Sequence, residues 1–308
     1  MKKSIYLLGL LLLVACANDD EPTGQQVPNA YPLTIEVTEN PLIPDGEDGS
    51  STRAAITTTS SLNGFNMYYV YGTTPSSDSR TATKDGDGKW TTTESWPGAG
   101  GDTEVTWYAY TDGTFNLNGG NPYINFIVEE SATNQKDLLV ATASGTYTGT
   151  NGNLSFTFNH ACAALRFQVK KSSNLGEHSL TVSSIVLKNV FKHGKYYYDT
   201  DTGYWELITT DPSKDITNYT LFSGSMTPGS SYTFLNGSEN DSYLFLIPQE
   251  LKGDVSSGTY VEIAWQSNYG SHASGTAKIP LSKELKKGHR HDIKISIGTT
   301  TLTTRSGY

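Results

Sequence analysis

Cys16 is the first residue whose type and setting imply a reaction. It closes the run MKKSIYLLGLLLLVAC, in which Lys2 and Lys3 lead an apolar stretch from Ile5 to Val14. That stretch is about half of the roughly twenty residues a spanning helix needs, and it fits the apolar centre of a signal peptide. Leu13-Val14-Ala15-Cys16 has the lipobox pattern, in which the thiolate of the Cys takes diacylglycerol and its palmitate-like chains. Residues 1–16 are therefore expected to be a lipoprotein signal peptide, with Cys16 as the lipidation site. Arg53 is the second such residue. It ends the stretch Pro41-Leu-Ile-Pro44-Asp-Gly-Glu-Asp-Gly-Ser-Ser-Thr52, which carries two Pro, two Gly and three acids. A loop of that composition is exposed and open to proteases, and the Arg53–Ala54 bond at its end is within reach of an Arg-specific enzyme. A solvated loop arginine is the competing reading.

Other constellations lead to weaker chemistry. His289 and His291 fall on one face of a strand, as a metal pair would, but a third ligand is not evident and a surface strand edge is the simpler reading. Asp85-Gly-Asp87-Gly faintly resembles a calcium loop but lacks the closing Glu, so a turn is expected. His160 and Cys162 stand two apart with Cys162 in an apolar run, which makes Cys162 a small core residue rather than half of a dyad. No nucleophile elbow, phosphate loop or paired carboxylates in an apolar setting appear. The expectation is a protein that is not an enzyme and uses no metal and no cofactor.

The positioning elements are strands. The chain has 308 residues, room for one large or two medium domains. Its two Cys leave no disulfide framework once Cys16 is lipidated, so packing and strand pairing must hold the fold. Nineteen Tyr and many Gly-containing turns suit short strands. The net charge of −9 repels a phosphate backbone and argues against nucleic acid. Residues 17–53 hold eight acids (Asp19, Asp20, Glu21, Glu36, Glu39, Asp45, Glu47, Asp48) against Arg53 alone.

Residues 17–31 read as a flexible tether. Leu33-Thr-Ile35-Glu-Val37-Thr38 alternates apolar and polar and predicts a first strand over 33–38, with a cleavable loop over 41–54. Strands are predicted at 64–71, 105–110, 123–128, 138–143, 154–158, 163–171, 180–190, 195–198, 204–208, 232–235, 242–247, 260–265 and 292–297. Ser282 begins at most a short helical turn, and no segment shows sustained helical periodicity. About fourteen strands exceed one ordinary sandwich. Two β-sandwiches in tandem are expected, covering 32–160 and 161–308.

Several segments together resemble the fimbrillin family, the Bacteroidota type V pilins of the fimbrillin-like or Mfa-like kind. They are Trp90, Ser95-Trp96-Pro97 and Val105-Thr-Trp107-Tyr-Ala109-Tyr110, then Asp137-Leu-Leu-Val-Ala141, then Leu154 to Phe167 with His160 and Ala161. Ile185 to Asn189 with Gly194 and Tyr196 follows, and Lys287 to Ile295 closes the series. The acidic cluster Asp19-Asp20-Glu21 behind Cys16 resembles the surface-export signal of lipoproteins from the same bacteria.

The resemblance implies an all-β fold of two tandem transthyretin-like β-sandwich domains. It implies export as an outer-membrane lipoprotein, then cutting at the cell surface by an Arg-specific protease. The cut would free the first strand, with Leu33, Ile35 and Val37 on its apolar face, and open a slot worth roughly 1.5–3 kcal/mol per buried side chain. A strand from another fimbrial subunit would fill it, which is donor-strand exchange serving assembly of the fimbrium, cell adhesion and contact with a host or bacterial surface ligand. After the 292–297 strand, Thr299 to Thr304 holds one large apolar residue, Leu302, and makes a poor donor. A tip or minor subunit is expected. The alternative is a glycan-binding surface lipoprotein of a polysaccharide-uptake system, with Trp90, Trp96 and Trp205 stacking on sugars.

Overall fold

Residues Asn153–His160 read NLSFTFNH, and the alternation decides their fate. Leu154, Phe156, Phe158 and His160 turn inward and are buried, while Ser155, Thr157 and Asn159 face water. The same period runs through Val105–Tyr110 and His289–Ile297, and it builds an almost wholly β protein. The structure, a computed structural model, describes residues 31–44, 62–76, 79–97, 102–118, 120–199, 203–235, 243–269, 274–299 and 301. Cys16, Arg53 and Ala54, and the tether before residue 31, lie outside the described residues. Among the described residues no helix is long and apolar enough to cross a membrane.

One large sheet runs in the order Thr34–Glu39, Asn153–His160, Leu139–Gly145, Val105–Tyr110, Gly64–Tyr71, Arg80–Lys84, Trp90–Thr91. Its pairings are antiparallel except the outermost, where Thr34–Glu39 lies parallel to Asn153–His160. The sheet encloses a core of Ile35, Phe65, Met67, Trp96, Trp107, Leu154, Phe156 and Phe158 among others, all from residues 35–158. A second core is drawn mostly from residue 161 onward. It lies between the sheet built on Ala163–Lys171 and His289–Ile297 and the sheet Ile216–Met226, Leu180–Phe191, Tyr260–Ser267, Ser274–Pro280.

A further sheet links the two. It takes Thr114–Asn118 and Asn121–Ile127 from before residue 160, and His193–Tyr197 and Tyr204–Leu207 from after it. Tyr110, Ile124, Phe126, Val128, Leu138 and Val140 accordingly join the second core. Residue 160 therefore falls between two cores, and the strand pairing runs across it.

Several elements differ from expectation. Ile216–Met226, Ser274–Pro280, Thr114–Asn118 and Arg80–Lys84 are strands that the alternation did not predict. Ile216–Met226 pairs with Leu180–Phe191 through register shifts, which break the period of two. Ser274–Pro280 buries only Ala277 and so shows no apolar row. The segment after Ser282 is no helical turn: Lys283–Glu284 pairs with Glu250–Leu251.

Candidate functional site

The lead strand, Thr34–Glu39, sits at the edge of the large sheet, in parallel register with Asn153 to Phe158, and further bonds tie it at both ends and on its outer face. The Thr34 amide donates to the Gly152 carbonyl (2.8 Å) and the Asn40 amide to the Phe158 carbonyl (2.8 Å). Outside, the Thr38 and Thr157 hydroxyls meet at 3.0 Å, the Asn40 amide group donates to Asn159 Oδ1 (2.8 Å), and Ser155 donates to Glu36 Oε2 (3.2 Å). Inside, Ile35 is buried, and Leu33 and Val37 are half-buried against the first core. Gly152 carries a positive φ of 74°, and a side chain there would collide with the Pro32 carbonyl and the Tyr147 ring. The lead segment approaches the body as closely as glycine allows.

Beyond Asn40 the segment does not become a loop at once, as expected for 41–54. Leu42 is buried, the Ile43 amide donates to the Gly288 carbonyl (2.9 Å), and Ile43–Pro44 lies parallel to His289 and Arg290. Pro41 and Pro44 read as loop residues, yet a sheet-edge strand tolerates proline because the missing donor can face away from the ladder. One segment thus edges two sheets in succession. Where it crosses, a cavity of about 520 Å³ remains, with Asn40, Pro41, Ile43, Asn159, His160 and Lys287 in its walls.

The inward row Leu33, Ile35, Val37 ends in Glu39, and the inward row Leu154, Phe156, Phe158 ends in His160. Glu39 Oε1 lies 3.3 Å from His160 Nε2, with side chains 2% and 1% exposed. On the other side, His160 Nδ1 donates to Asp137 Oδ2. Burial pulls the His160 pKa down, but the hydrogen bond and charge of Asp137, then the charge of Glu39, outweigh it and the net direction is up. Burial pushes the Asp137 carboxyl up, with His160 pulling it back. The arrangement sets the His160 imidazole between two carboxyl groups, one of them on the lead strand. The sequence reading passed over all three residues in this role. The signal present was that each apolar row, counted by twos, terminates in an ionisable residue.

The other expected site residues are resolved differently. His291 is fully buried rather than at a surface edge, and its Nε2 accepts from the Lys286 amide (3.1 Å), so that lone pair is not open to a metal. His289 Nδ1 is bonded to the Lys287 carbonyl (2.9 Å). Among the described residues no cluster of three or more His, Cys, Asp or Glu is placed to hold a metal. Asp85 caps a turn, its carboxylate accepting from the Asp87 (3.0 Å) and Lys89 (2.9 Å) amides. Cys162 is free and buried, and burial holds its thiol well above the ordinary range. Of the tryptophans named for sugar stacking, Trp96 is buried. Trp90 packs beside Phe65 at 5.1 Å between ring centres, and Trp205 donates from Nε1 to the Ala161 carbonyl (2.7 Å) while packing on the second core.

A model of the fimbrillin-like family matches residues 52–307. The chain belongs to the fimbrillin-like family. The matched region begins just before Arg53 and excludes the lead strand. No curated protein matches the chain. Among solved structures, a fimbrial protein from Bacteroides vulgatus ATCC 8482 is similar at 20% identity and a TM-score of 0.60, over 88% of this chain and 96% of that one. A candidate cell adhesion protein from Bacteroides ovatus ATCC 8483 is similar at 14% identity and a TM-score of 0.53, over 89% of this chain and 95% of that one. At such identities these likenesses establish that the fimbrillin-like chain shares their β fold.

Proposed function

We propose that this fimbrillin-like protein is the precursor of a fimbrial subunit, exported as a lipoprotein through Cys16 and held at the outer membrane until it is cut. A surface Arg-specific protease adds water across the Arg53–Ala54 bond, leaving a carboxylate on Arg53 and an amine on Ala54. The lead strand then leaves, and a strand of another subunit takes its seat. The two cores support a reading as two transthyretin-like sandwiches that share one sheet.

The observation that carries this reading is the parallel edge position of Thr34–Glu39. An edge strand can be withdrawn without breaking any pairing between the strands that remain, and its loss bares both an apolar slot and a row of unpaired backbone groups. The family-matched region starting at residue 52 supports the same division. Trp96 is buried and Trp205 packs on the second core, which weighs against the glycan-binding alternative.

Incubating the purified precursor with an Arg-specific protease and sequencing the product tests the proposal. A new N-terminus at Ala54, followed by oligomers that survive a gel without boiling, is the expected result. Release of the lead strand with no gain in binding a donor strand would count against it.

A further inference from the structure

We infer that the seat of the lead strand selects its occupant by charge: it accepts an extended segment of another chain whose three inward apolar side chains are followed, at the next inward position, by a carboxylate that meets His160. This rests on the strand-replacement reading above and specifies the partner that the same groove takes.

The native occupant shows the code. Leu33, Ile35, Val37 and Glu39 share one face by period two, and Leu154, Phe156 and Phe158 are the register partners of Ile35, Val37 and Glu39. The register puts Glu39 beside Phe158, and its carboxylate reaches His160 at 3.3 Å. When the lead strand departs, Asp137 and His160 remain, because both belong to the part of the chain after residue 52. His160 is 3% exposed while the strand is seated, so the newly freed Nε2 side faces the groove. An aliphatic residue at the Glu39 position would remove one of the two carboxylates that face the imidazole, and a lysine would set like charges together.

The other groups around His160 do not replace the acid. Asp137 already occupies Nδ1. Cys162 is buried and protonated, and Lys287 in the cavity wall gives its ammonium to the Gly203 carbonyl (3.0 Å). Burial and the two carboxylates act oppositely on His160, with a net rise, so the charge that reads the acid grows as pH falls.

The test uses the full chain cut by an Arg-specific protease and fluorescein-labelled peptides of sequence YPLTIEVTENPLIP, residues 31–44. Anisotropy reads their entry. The native peptide is expected to bind, and its Glu39→Gln version to bind more weakly by about tenfold or more, the low end of what a close charge pair contributes. The Glu39→Lys version should bind weaker still. In a His160→Gln protein the preference for Glu over Gln should vanish. Should that variant not fold, the wild-type protein at pH 9 against pH 6 serves, with the preference shrinking at the higher pH. Equal binding of the Glu and Gln peptides, within about twofold, overturns the charge selection and leaves strand replacement standing. Entry of no peptide at all overturns strand replacement, and the selection with it.

Discussion

Arg166 and Asp292 form a two-toothed ion pair, Nε to Oδ1 at 2.7 Å and Nη2 to Oδ2 at 2.8 Å, between register partners on adjacent parallel strands. Arg166 is 2% exposed, and its guanidinium also lies over Phe234 (4.8 Å) and Tyr243 (5.7 Å). Asp292 is 34% exposed, so water screens part of the pair. Asp292→Asn is expected to cost roughly 2–3 kcal/mol, because it strands a buried cation. Arg166→Met should cost less, since it removes the cation and leaves only a half-open carboxylate. Urea midpoints of the two variants check the order, and a smaller loss for Asp292→Asn would contradict it.

Gly152 sets how closely the lead segment can approach. Gly152→Ala is expected to cost about 1–2 kcal/mol for its left-handed backbone alone, and more for the collision with the Pro32 carbonyl. The loss should be local. Hydrogen exchange at the Thr34 amide, which donates to Gly152, should quicken well before exchange in Val105–Tyr110 does.

The His160 clamp gives stability a pH dependence of definite sign. The folded pKa lies above the ordinary imidazole value, so its contribution is whole below the unfolded pKa and fades as pH rises through the folded one. The groups that face it are Glu39 and Asp137, with Cys162 and Lys287 nearby. Melting temperatures should therefore fall from pH 6 to pH 9 in the intact chain and fall less in His160→Gln. Equal slopes for the two proteins would show that another group carries the effect.

Cys162 should be inert while the protein is folded, being fully buried with its thiol held protonated. In a Cys16→Ser protein a thiol reagent at pH 8 is expected to label nothing until urea unfolds the chain. Prompt labelling under native conditions would refute the packing assigned to Ala161, Cys162 and Ala163.

Much of the fold was legible in the sequence because a strand with one face buried must alternate. Gly64–Tyr71, Val105–Tyr110, Asn153–His160 and Tyr260–Ser267 all show it, and Leu33, Ile35 and Val37 marked the lead strand the same way. Where burial is slight or the register slips, as in Ser274–Pro280 and Ile216–Met226, the period fades and the strand went unread. Proline hid the second half of the lead segment, since Ile43–Pro44 pairs at an edge that a proline-rich sequence disguises as loop.

Alternation and composition by themselves determined that this is a β protein with an apolar lead strand ahead of the segment that carries Arg53. They are local properties, and period two requires only neighbours in the chain. Only the tertiary structure decided that the lead strand pairs in parallel and spans two sheets, that residues on both sides of 160 share a sheet, and that Glu39, His160 and Asp137 meet. Those contacts join positions far apart in sequence, where distance is set by packing and carries no local pattern to read.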